Sequence, residues 1–135
     1  MKPEVAQSIG VFECVVTDEM TARLDGRLIH PVYSTFWLAY HAEVAARRAI
    51  EPFFDENENA VGGDIALRHE AMCAVGETIR VEAKVIEVTS RKVVCSIEAF
   101  ASTGRIASGL QTQVLLNQEL IDKLVREAQV IKKPD

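Results

Sequence analysis

Long apolar runs are missing from this chain: no window approaches 18 uninterrupted apolar residues, which excludes a membrane-spanning helix. Positive charge is also short. Fifteen Lys and Arg stand against 20 Asp and Glu, a formal net charge of −5. A phosphate-backbone partner would call for a basic face, so no nucleic-acid partner is expected. Cysteine is scarce and odd in number. Cys14, Cys73 and Cys95 lack metal-ligand spacing and sit in or beside apolar segments, so they read as reduced core or near-core thiols. The sharper alternative is a catalytic cysteine. Met1-Lys2-Pro3-Glu4 lacks the charged-then-apolar design of a signal peptide, and a cytoplasmic protein is the expectation. His30 and His41 have neither the spacing nor the third ligand of a metal centre, so no metal is expected. Repeats, linkers and low-complexity tracts do not occur.

What is present is the balance of an ordinary globular protein: 48% apolar residues, 26% charged, 135 in all. That length fits one domain spanning 1–135, with one hydrophobic core. Residues 9–17 are rich in β-branched and aromatic side chains and predict a strand. A turn-rich connector follows from Asp18 to Pro31, with Asp25-Gly26 inside it. From Ser34, a plausible N-cap, to Ile50 the pattern is helical, and Pro52 lies just past its end. Ala39, Ala42, Ala45, Ala46 and Ala49 make this helix slim enough to approach a sheet closely. Asp55 to Asn59 forms an acidic loop. Residues 60–116 read as four strands in a meander, with alternation clearest over Thr78 to Val88. Residues 118–131 predict a second helix with Leu120, Ile121, Leu124, Val125 and Ala128 on one stripe. The order gives an α+β fold, one antiparallel sheet curled around one long helix, with its core at about 10–116.

Three residues in this frame carry the parts of acyl-transfer chemistry. Thr35 opens the alanine-rich helix, Glu43 lies within it, and His69 follows 26 residues later at a strand end. A hydroxyl can attack or position water, a carboxylate can act as base or anchor, and a near-neutral imidazole can carry a proton. Each has a plainer reading: a cap residue for Thr35, a solvated helix carboxylate for Glu43, a satisfied strand residue for His69. The helix is too rich in alanine to have a broad solvent face, so Glu43 is expected inside, where a carboxylate must be paired or catalytic. A continuous helix would place Thr35 and Glu43 roughly 12 Å apart along its axis. A direct triad then needs a broken first turn or residues from two chains. A Glu43 that faced His69 would favour the imidazolium and raise its pKa. His30, Tyr33, Trp37, Tyr40 and His41 cluster around the helix start, either as core aromatics with a surface histidine or as an acyl-pocket wall. Arg47-Arg48 complements the helix dipole; gripping CoA phosphates is the alternative.

A sheet around a lone helix is the hotdog architecture, and the chain resembles its fluoroacetyl-CoA thioesterase-like branch. The resemblance rests on Gly62 before the strand ending in His69, Gly76 before a long hairpin, the Arg91 turn, and Gly109-x-x-Thr112. The spacing of Thr35, Glu43 and His69 also matches that family's catalytic threonine, glutamate and histidine. In the last strand the chain departs from the pattern, with Gln111 and Gln113 where the family often carries basic or imidazole groups. The fluorinated substrate is therefore not carried over.

The resemblance implies an acyl-CoA thioesterase that hydrolyses a small acyl thioester to free acid and CoA. CoA enters as part of the substrate and no separate cofactor is implied. It implies Thr35, Glu43 and His69 as catalytic residues, and Gly62 where a backbone nears the thioester, as glycine permits. Tyr33, Phe36 and His30 complete the expected substrate contacts. Hotdog domains pair edge to edge, so a homodimer or dimer of dimers is expected. The alternatives are a non-catalytic acyl-CoA-binding module or sensor, which would tolerate loss of His69, and a dehydratase-type hotdog.

Overall fold

The computed structural model describes residues 1–132, with side chains through 130. Strand β1 (Ile9–Val15) is followed by a 3-10 turn at Asp18–Met20, then β2 (Thr21–Leu24) and β3 (Arg27–Tyr33). Helix α1 spans Thr35–Ile50. Strands β4 (Glu58–His69), β5 (Thr78–Val88), β6 (Lys92–Ala101) and β7 (Gly104–Asn117) come next, and helix α2 (Gln118–Lys132) ends the described chain. Five strands form one antiparallel sheet in the order β1-β5-β6-β7-β4, and β2 and β3 form a separate hairpin.

Helix α1 lies in the concavity of the sheet because its contact face is nearly side-chain free. Ala42, Ala45, Ala46 and Ala49 are fully buried with Leu38 and Ile50. The approach is so close that a Cβ on Gly10 of β1 would sit 2.1 Å from the Ala45 carbonyl oxygen. Opposite it the inner faces of β5 and β6 contribute Ile79, Val81, Ala83, Val93, Cys95, Ile97 and Ala99, all buried. This is the expected hotdog arrangement. The three cysteines are free thiols, Cys73 and Cys95 buried and Cys14 partly so.

Two elements differ from the sequence reading. Residues 21–33 are a hairpin, not a connector. Asp25 (φ 52°) and Gly26 (φ 75°) both adopt positive φ, the backbone of a two-residue turn whose twist matches paired strands. The four later strands are also not a simple meander: β5, β6 and β7 pair in sequence, but β4 pairs with β7. Residues 70–77 carry the chain across the end of the helix to the far side of the sheet, too long a path for a hairpin. That leaves β4 as an edge strand.

A β-bulge in β4 decides which side chains face the helix. Gly62 pairs with Gln113, and after a register shift at Gly63 Ile65 pairs with Gln111 and His69 with Ala107. Seven residues separate Gly62 from His69, an odd spacing that puts two side chains on opposite faces of a regular strand. The extra residue restores both to the inner face.

Candidate active site

Thr35 is the first residue of α1, and the helix start is fixed on three sides. The Ser34 hydroxyl accepts from the Trp37 N–H at 3.1 Å, the N-cap role expected of it. The Ser34 N–H donates to the Met20 carbonyl (2.9 Å) and the Tyr33 N–H to the Cys73 carbonyl (2.8 Å). On this platform Thr35 Oγ1 lies 2.9 Å from His69 Nδ1. The two line a cavity of about 370 Å³ with Ala22, His30, Val32 and Tyr33 on one side and residues 70–72 on the other.

His69 is half-buried, and burial lowers its pKa from 6.5, with the Ala71 backbone partly opposing the shift. Its Nε2 is buried without a hydrogen-bond partner. Burial favours the neutral form, and where the Thr35 hydroxyl donates to Nδ1 the ring's own proton sits on Nε2. The edge of the Tyr33 ring meets His69 at 6.2 Å between centroids. Tyr33 is itself locked in place: its hydroxyl shares a hydrogen bond with His41 Nδ1 at 2.6 Å inside the core. Burial pushes the His41 pKa down to about 4, which favours the neutral ring, and Phe12 stacks on it at 4.4 Å. His41 is therefore a core residue, and His30 is the exposed histidine of the plainer sequence reading.

Glu43 occupies a different cavity. Helix α1 is unbroken from Thr35, so the two side chains stay about two turns apart. A Cβ on Gly62 would come within 2.8 Å of Glu43 Oε1, so the missing side chain makes room for the carboxylate. Tyr40, Arg47, Arg48, Glu51, Val61 and Gln113 are among the residues that line this cavity, about 610 Å³. Two expectations need correction here. Glu43 is exposed in the single chain rather than kept inside, because the alanine face of α1 turns to the sheet and Glu43 lies off that face beside the open edge at β4. Nor does Glu43 face His69 within one chain, and the imidazole pKa is shifted down, not up.

The structure thus joins Thr35, His69, His30 and Tyr33 in one cavity and Glu43 with Gly62 in the other. Phe36 lines neither. It is 74% exposed and packs edge-on against Trp37. Arg47 is engaged by Glu51, Asn59 and the Ala60 carbonyl, and Arg48 donates to the Val11 carbonyl. Gln113 lies in the Glu43 cavity because it sits opposite Gly62, a placement that only the strand register reveals.

The profile of the FlK family, the fluoroacetyl-CoA-specific thioesterases, matches residues 16–119. The chain belongs to that family. A fluoroacetyl-CoA thioesterase from Streptantibioticus cattleyicolor is 26% identical over 96 residues, covering 71% of this chain and 69% of its own length. A hypothetical protein of Thermus thermophilus, described as a thioesterase superfamily member, superposes with a TM-score of 0.91 at 35% identity, over 96% of both chains. The crystal structure of FlK superposes with a TM-score of 0.82 at 24% identity, over 95% of this chain and 96% of its own, a likeness of fold. Membership of the FlK family makes this chain a thioester hydrolase.

Proposed function

We propose that this protein is a homodimeric hydrolase of small acyl-CoA thioesters, with Thr35 as nucleophile, His69 as proton carrier and Glu43 supplied by the partner chain. The observation that carries the reading is the 2.9 Å contact between Thr35 Oγ1 and His69 Nδ1. As Thr35 attacks the thioester carbonyl, its proton passes to Nδ1. Collapse of the tetrahedral adduct breaks the C–S bond, and the same proton leaves with the CoA thiolate. In the second half, water attacks the acyl-threonine and gives a proton to the carboxylate. Collapse breaks the acyl C–Oγ1 bond, and that proton passes on to Thr35 Oγ1, which releases the acid and restores the hydroxyl. The first-turn N–H groups of α1, at the positive end of the helix dipole, suit the developing oxyanion.

The dimer supports the role of Glu43. β4 is an edge strand with Val61 39% and Ile65 40% exposed. Edge strands of this length call for a partner. Two-fold antiparallel pairing of β4 with its copy, centred between residues 65 and 66, lays the Gly62 end of one chain beside the His69 end of the other. The partner's Glu43 then arrives from across the interface, and the separation along the helix no longer matters. The free thiols suit a reducing compartment, and we place the protein in the cytoplasm.

Intact-protein mass spectrometry during rapid mixing with acyl-CoA tests the nucleophile. An acyl adduct should form on wild type and accumulate in Glu43→Gln, and should not form on Thr35→Ala. Thr35→Ser should keep adduct and turnover. Full turnover with no adduct on any time scale would make Thr35 a residue that only positions the attacking water.

A further inference from the structure

The Glu43 cavity has a polar floor that the chemistry above does not use. Gln111 and Gln113 are successive inward-facing residues of β7, 1% and 2% exposed, beneath the helix. Around them the inner face is apolar: Val93 and Cys95 pair with them from β6, and Ile65 stands opposite Gln111. Two primary amides side by side among apolar neighbours call for a reason. Neither is a fully enclosed unpartnered group among the described residues, so the polar atoms they leave free remain accessible.

The two amides satisfy each other only in part. Gln113 Nε2 donates to Gln111 Oε1 at 2.9 Å, which uses one of the two N–H groups that an amide nitrogen carries. The carbonyl oxygen of Gln113 and its second N–H have no protein partner among the described residues, and Gln113 lines the cavity beside Glu43 and Gly62. Gln111 holds the amide in place from behind. Charges at the cavity point the same way. The Glu43 carboxylate disfavours an acyl group with its own carboxylate, while Arg47 and Arg48 are committed to Glu51, Asn59 and the carbonyls of Ala60 and Val11.

We propose that Gln113, held by Gln111, sets acyl specificity and selects a short, uncharged acyl group that bears a hydroxyl. The proposal rests on the thioesterase reading and deepens it. A hydroxyl in the cavity would donate to the Gln113 carbonyl and accept from its free N–H. A methyl group of the same size would leave both unpaired, and a site built to hydrogen-bond discriminates strongly against such an isostere.

Isosteric substrate pairs test this on the wild-type protein alone: hydroxyacetyl-CoA against propionyl-CoA, and 3-hydroxybutyryl-CoA against 3-methylbutyryl-CoA, with succinyl-CoA as the charged control. In each pair kcat/KM should favour the hydroxyacyl substrate by roughly tenfold or more, and succinyl-CoA should be slowest. In Gln113→Met the ratio should fall to about one. The double variant Gln111→Met/Gln113→Met leaves neither amide orphaned and should give the same ratio if the single variant folds poorly. Hydrolysis with no hydroxyacyl preference, a preference that survives in the variants, or a preference for succinyl-CoA overturns the proposal while the thioesterase reading stands. No hydrolysis of any of the five would overturn both.

Discussion

His69 shows how much a single residue's environment decides. A histidine beside a carboxylate titrates high, whereas one enclosed by apolar groups titrates low. Here burial dominates and the pKa is lowered. Burial therefore favours the base form more than in a free imidazole. Turnover should rise with pH as the imidazole loses its proton; burial within one chain sets the midpoint below the ordinary value near 6.5, and a partner's Glu43 facing the ring would raise it. His69→Ala should flatten this limb and remove most activity. Glu43→Gln supplies a sign test, read by NMR titration of His69. If the partner's carboxylate faces the imidazole, losing it should lower the His69 pKa further; an unmoved titration would leave Glu43 confined to its own cavity.

Gly62 gives the second residue-scale expectation. Its Cβ would fall 2.8–3.1 Å from the Glu43 carboxylate, the movable end of a flexible side chain, and no backbone atom is among its close contacts. Gly62→Ala should therefore displace the carboxylate at little cost to the fold. Turnover should fall about tenfold or more if that carboxylate is the base, with the melting temperature nearly unchanged. An active Gly62→Ala enzyme would remove Glu43 from the chemistry.

At the scale of elements, close approach is the organising fact. Gly10 differs from Gly62 because its neighbours are helix backbone: Ala45 O at 2.1 Å and Ala49 N at 2.5 Å. Neither can step aside. Gly10→Ala must push β1 away from α1 and should destabilise by about 3 kcal/mol or more, visible as a shift in the denaturant midpoint. An unshifted midpoint would mean that β1 and α1 are not held this tightly. The alanine stripe and Ser34 cap made α1 legible from sequence, and strict alternation did the same for β5. The bulge at Gly63 was not legible, since a Gly-Gly pair inside a strand is compatible with a turn, a bulge or a close approach. With it went the pairing of Gly62 with Gln113. The β2–β3 hairpin hides from local pattern because only four residues, Thr21–Leu24, precede the Asp25-Gly26 turn, too few to show alternation. Thr35 and His69 could be named from residue type and spacing, but their contact depends on the route of residues 70–77 across the helix end, which no local pattern encodes.

For the whole molecule the question is which chain completes each site. One chain places Thr35 against His69 and holds Glu43 in a second cavity, with the edge of β4 running between them. If the edges pair about a two-fold axis, each dimer has two sites, each built from Thr35 and His69 of one chain and the partner's Glu43. Mixing two inactive proteins then has a defined outcome. In a heterodimer of Thr35→Ala and Glu43→Gln, one site carries both lesions and the other carries neither. Random exchange of subunits makes half of the dimers hybrid, so a fully exchanged equal mixture should recover about a quarter of wild-type activity. Sites contained within one chain would recover nothing, because every chain in the mixture carries a lesion. Subunit exchange under mild denaturant, followed by thiol release from acyl-CoA and by the mass of the species in solution, separates the two cases. Silence from a mixture shown to contain hybrid dimers would rule out the shared site, and Glu43 would then have to act from its own cavity, across two turns of helix from Thr35.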